Sequence, residues 1–79
     1  MKIKNVRFGI LGMARSGLAA ADRIKKLGGK VFISEFRIES EIADALEIKK
    51  SFPCEFGGHS PEVLKNDFLV ISPGIPLNI

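Results

Sequence analysis

Three short stretches of this chain carry residues suited to chemistry, and each follows an apolar run. The first is Gly12-Met13-Ala14-Arg15-Ser16-Gly17, between an apolar run over 6–11 and a helical pattern that starts at Gly17. A strand-to-helix loop of this kind aims several backbone N–H groups at one spot, where the helix dipole adds about +0.5 charge. An anion, most naturally a phosphate, suits that spot. The spacing fits the dinucleotide-binding pattern G-x-G-x-x-G, except that Ala14 stands at the second glycine, where a pyrophosphate comes closest. Its methyl group disfavours a nicotinamide or flavin cofactor more than it disfavours phosphate binding in general. A tight turn with no ligand is the plainer alternative.

The second stretch is Glu35-Phe36-Arg37, after the β-forming run Lys30-Val31-Phe32-Ile33-Ser34. An acidic side chain at such a strand end commonly accepts hydrogen bonds from nucleotide hydroxyl or N–H groups, and a neighbouring arginine can stack on a planar base or neutralise charge. An exposed turn with two unpaired charges is the alternative. The third stretch, Ser72-Pro73-Gly74-Ile75-Pro76, closes the apolar run 67–72 and can continue neither a helix nor a strand interior.

These stretches need elements to position them. The segment 17–27 carries Leu18, Ala20, Ala21, Ile24 and Leu27 on one face and Asp22, Arg23, Lys25 and Lys26 on the other, with Gly28-Gly29 to end it. Ser40 is placed to cap a second helix over 41–50, with Ile42, Ala45 and Leu46 as its apolar face, and Pro53 closes it. Cys54-Glu55-Phe56 suits only a short edge strand, Gly57-Gly58 a turn, and Ser60-Pro61-Glu62 the start of a brief helix. His59 stands alone between them and reads as a solvated loop histidine rather than a catalytic one. Strands thus alternate with helices, which predicts an α/β fold with an open parallel sheet of about four strands in the order 3-2-1-4. The three chemical stretches then converge on one crevice at the carboxyl ends of the strands. Beyond the last strand the flank of the sheet is expected to be unprotected, as in a piece of something longer.

Composition narrows the partners. The chain has 79 residues, 46% hydrophobic and 27% charged, which suits a single small globular domain. Its single cysteine excludes an internal disulfide, and one histidine leaves no Cys/His cluster for zinc. The +3 net charge comes from lysines scattered around helix ends, without interleaved aromatics, so nucleic acid is not expected as a partner. The amino-terminal apolar run is interrupted by Arg7, so neither a signal peptide nor a membrane span is expected. A cytoplasmic location follows as the expectation.

Taken in order, Gly12-Met13-Ala14-Arg15-Ser16-Gly17-Leu18-Ala19-Ala20, Ser34-Glu35-x-Arg37 and Asp67-Phe68-Leu69-Val70-Ile71-Ser72-Pro73-Gly74-Ile75-Pro76 resemble the amino-terminal domain of the Mur ligases, the peptidoglycan-precursor enzymes. Within that family the branch adding D-glutamate looks nearest. The resemblance implies that residues 1–79 form a Rossmann-like UDP-binding domain of a three-domain ATP-dependent ligase. Its ligand would be the UDP part of UDP-N-acetylmuramoyl-L-alanine. The diphosphate would lie along Met13, Ala14, Arg15, Ser16 and Gly17, the uracil among Glu35, Phe36 and Arg37, and Ser72, Pro73 and Gly74 would close the far side. Glu35 stands where the family more often has Asp, and Phe36 where a small polar residue is common; a phenyl ring there can pack on the base. No G-x-x-x-x-G-K-[ST] loop occurs, so ATP and magnesium are expected on the central and carboxy-terminal domains, and this piece alone to be catalytically inert. A regulatory NAD- or adenosine-nucleotide-sensing module is the rival expectation.

Overall fold

A computed structural model describes residues 3–71. The bend over 72–76, and with it Ser72, Pro73 and Gly74, lies outside the described residues. Four strands, β1 (Arg7–Leu11), β2 (Lys30–Glu35), β3 (Cys54–Phe56) and β4 (Phe68–Ile71), form one parallel sheet in the order β3-β2-β1-β4. This is the predicted 3-2-1-4 arrangement of a Rossmann-like fold. Opposite Leu11 in the β1–β2 register stands Ser34, and opposite Glu35 in the β2–β3 register stands Phe56, so these strands end along a common rim.

Helix α1 (Arg15–Lys26) connects β1 to β2. Its apolar stripe places Ala21 fully out of solvent and packs Leu18 and Ile24 on the sheet, whose central side chains Ile10, Val31 and Ile33 make up the core with Met13 and Ile48. The helix ends as the glycine pair predicts. Gly28 takes φ +92°, its N–H donates to Lys25 O, and the Gly29 N–H reaches back to Ile24 O, which is the paired closure of a Schellman motif.

The segment after β2 departs from expectation. Instead of one helix over 41–50 there is a 3-10 turn at Glu39–Glu41, an extended Ile42, and then helix α2 (Ala45–Ser51). Ser40 lies inside the 3-10 turn and caps nothing. Ile42 leaves helical backbone and packs against the core, so tertiary burial overrides the local capping signal. With the helix starting later, its buried positions are Ala45 and Ile48, whereas Leu46 is 65% exposed. Pro61–Lys65 is also a 3-10 segment, with the Ser60 hydroxyl accepting the Glu62 N–H as a cap. The apolar run of β4 forms the flank of the described sheet, with Phe68, Leu69 and Ile71 exposed and the Phe68 ring stacked on Phe8 at 5.5 Å. Among the described residues no helix is long and apolar enough to cross a membrane.

Ile33 is fully buried at the centre of β2. Ile33→Ala should lower unfolding free energy by roughly 2–4 kcal/mol in urea titration, and Leu46→Ala by less than about 0.5 kcal/mol. A larger loss at Leu46 would restore the helix face first expected.

Candidate functional site

The site is built where β1 and β2 end. Gly12 takes φ +98°, a conformation that favours glycine, and its N–H donates to Ser34 O at 2.7 Å, which turns the chain out of β1. Met13 then tucks its side chain into the core. Ala14 occupies the N-cap position of α1 and offers no side-chain acceptor to the first-turn N–H groups. Gly17 is buried under the loop, and a Cβ there would stand 3.1 Å from Gly12 O and 3.3 Å from Ile10 Cγ2. The first and third positions of the glycine pattern therefore do what the spacing predicts: a tight turn, and close helix–strand packing.

Glu35, the last residue of β2, turns its carboxylate toward this loop and is only 4% exposed. Oε1 accepts the Met13 N–H at 2.8 Å and Arg37 Nη2–H at 3.3 Å; Oε2 accepts the Arg37 N–H at 2.8 Å and Nε–H at 3.2 Å. Burial alone would raise the pKa of this group, but the Arg37 side chain, the Arg37 N–H and the Met13 N–H outweigh it and hold the carboxyl below its ordinary value. A carboxylate has about four lone-pair sites, and here the protein's own donors take them. Glu35 is thus placed to hold the loop and Arg37, and a ligand N–H reaches it only if Arg37 moves.

The loop after β3 closes the third side. Gly57 N–H donates to Arg37 O and Gly58 N–H to Glu35 O, which brings His59 alongside. His59 Nδ1 lies 2.6 Å from the hydroxyl of Ser34, which is fully buried and donates to Glu55 Oε2 at 2.5 Å. Glu55 also accepts the Ser60 N–H and hydroxyl. Burial opposes ionisation of Glu55, but the bonds from Ser34 and Ser60 outweigh it and leave its pKa lowered. His59 is exposed, as a loop histidine, yet its ring is bonded and faces a cavity.

That cavity, of about 410 Å³, is lined by Gly12, Met13 and Ala14 from the first loop, Glu35, Phe36 and Arg37 from the end of β2, and His59. Phe36 is 73% exposed, and its ring centroid lies 6.4 Å from that of His59. Of the residues anticipated from sequence, Met13, Ala14, Glu35, Phe36 and Arg37 meet here. Arg15, Ser16 and Gly17 open α1 beside the cavity without lining it. Ser34, Glu55 and the placement of His59 were not anticipated; the pointer was the Gly57-Gly58 turn at the carboxyl end of a parallel strand. Among the described residues no group of acidic, histidine or cysteine side chains is arranged for a metal ion.

Fold and site together define an open Rossmann-like sheet with its cavity at the carboxyl ends of β1 and β2. Comparison with known proteins narrows the class. The chain is 43% identical over 75 residues to the UDP-N-acetylmuramoylalanine–D-glutamate ligase of Salinibacter ruber, 42% over 77 to that of Chloroherpeton thalassium, and 44% over 80 to that of Chlorobium phaeobacteroides. Each match covers 95–96% of this chain but 16% of the relative, so the chain spans about a sixth of the length of the curated relatives it matches. No protein-family model matches it. Along nearly its whole length, the chain is similar to the amino-terminal part of D-glutamate-adding Mur ligases.

The lowered pKa of Glu35 links the site to stability. A depressed native pKa contributes stability that is complete above the unfolded value, near 4.5, and is lost as pH falls through the native value. Melting temperature should therefore drop more steeply below about pH 4.5 in the wild type than in Glu35→Gln. Glu55 and Asp67 shift in the same direction, so the variant should keep a shallower slope, and equal slopes would remove Glu35 from the acid transition.

Proposed function

We propose that this chain is the substrate-anchoring amino-terminal part of a cytoplasmic ligase of peptidoglycan synthesis, and that it holds the UDP end of UDP-N-acetylmuramoyl-L-alanine for coupling to D-glutamate. The observation that carries this is the convergence of the 12–14 loop, Phe36-Arg37 and His59 on one cavity beside the start of α1. The relatives, named as ligases of UDP-N-acetylmuramoylalanine and D-glutamate, point the same way.

The geometry supports a division of labour. The diphosphate lies against the loop at the amino end of α1, where an alanine cap leaves room for an external acceptor and the dipole favours negative charge. The base packs on the exposed Phe36 ring, with Arg37 N–H groups on its carbonyl oxygens. Glu35 is a positioning residue for both. ATP, magnesium and the condensation itself belong to parts of the ligase outside this chain. In the rival NAD-sensing role an acidic residue at the end of β2 accepts the adenosine ribose hydroxyls, but the Glu35 oxygens are taken by Met13 and Arg37.

In an amide NMR titration of this chain, UDP should shift Met13, Arg15, Ser16 and Phe36 at concentrations where NAD leaves them in place. Arg37→Ala should weaken UDP binding roughly tenfold, the worth of a charge-assisted hydrogen bond. A stronger response to NAD would overturn the assignment.

A further inference from the structure

The bonds around Ser34 dictate which nitrogen of His59 carries a proton. Ionised Glu55 can only accept, so the Ser34 hydroxyl, whose single hydrogen goes to Oε2 at 2.5 Å, must itself accept from His59 Nδ1 at 2.6 Å. Neutral His59 is therefore held as the Nδ1–H tautomer, with the lone pair on Nε2. Of the other polar side chains lining the cavity, Arg37 has only donors and Glu35 has its lone-pair sites filled. Nε2 is thus the side-chain acceptor left for a ligand.

We propose that His59 is a specificity-determining residue that selects uracil over cytosine, with Nε2 accepting the ring imide N–H while Arg37 donates to a flanking carbonyl. This rests on the UDP reading of the cavity. An imide presents a donor between two acceptors, which complements an acceptor and a donor-only guanidinium lining one cavity. Cytosine presents a bare nitrogen at the same ring position, and two lone pairs would face each other. The Phe36 ring, 6.4 Å from the imidazole and tilted 48° to it, supplies an apolar wall to the same cavity. Ser34 and Glu55 act through His59 and are positioning residues.

Two measurements test this on the chain as it stands. Long-range ¹⁵N–¹H NMR of the neutral histidine ring should show the proton on Nδ1; a neutral ring protonated on Nε2 sinks the proposal whatever the cavity binds. In binding titrations the wild type should prefer UDP to CDP by about tenfold, and His59→Phe should lose that preference through weaker UDP binding, with CDP little changed. Ser34→Ala, which frees the ring, should admit the second tautomer and lose part of the preference. If His59→Phe keeps the full preference, His59 does not select the base although the UDP site stands. If neither UDP nor CDP binds, the UDP site falls and this proposal with it.

Discussion

A buried carboxylate at the end of β2 is the contact on which the site depends. Glu35 sits where water cannot solvate its charge, and such a group stays ionised only if protein donors replace the lost solvation. The donors come from two places, the Met13 N–H of the first loop and the backbone and guanidinium of Arg37. Because both must point at the same pair of oxygens, the loop at the start of α1 and the chain leaving β2 are fixed relative to each other. Gly12 N–H on Ser34 O adds a backbone tie one residue away, and the Gly57 and Gly58 N–H groups lace the loop after β3 to the same short segment.

This arrangement turns a sequence feature that looks like a ligand contact into a strut. An acidic residue at the end of the second strand is the usual partner of a nucleotide ribose in such sheets. Here the acid is displaced from that task by its own neighbour two residues on. What the rim offers instead is the exposed phenyl of Phe36 and the half-exposed guanidinium of Arg37, the latter held by the Glu35 carboxylate. Preorganisation of this kind lowers the ordering cost of binding, because the arginine is already positioned before a ligand arrives.

Much of this was legible in the residues, and the failures have identifiable causes. The strand order followed from the alternation of elements, and the roles of Gly12 and Gly17 from the geometry any tight strand-to-helix turn requires. The second helix was misplaced because Ser40 has the chemistry of a cap, whereas the deciding factor was the packing of Ile42 onto the core, which no local pattern records. Leu46 faces solvent for the same reason, since the later start of α2 turns Ala45 and Ile48 inward instead. The polar network failed to show for a different reason. Ser34 meets Glu55 and His59 across separations of 21 and 25 residues, and only the parallel register of β2 and β3 brings them together.

The two acids also explain the electrostatic character of the cavity. Glu35 and Glu55 come from adjacent strands, and an observer counting charges near the rim would expect it to repel a phosphate. Each carboxylate is instead turned onto protein donors: Glu35 onto the first loop and Arg37, Glu55 onto Ser34 and Ser60. Hydrogen-bond donors fill the lone-pair sites of Glu35 and take three at Glu55, the Arg37 cation offsets one charge at 3.2 Å, and His59 extends from the network that holds the other. The surfaces left for a ligand are therefore apolar side chains, an arginine, an imidazole and the amino end of a helix. A rim supported by anions thus turns most of their lone pairs inward onto protein donors, and the proposed diphosphate would meet donors rather than carboxylate oxygens there.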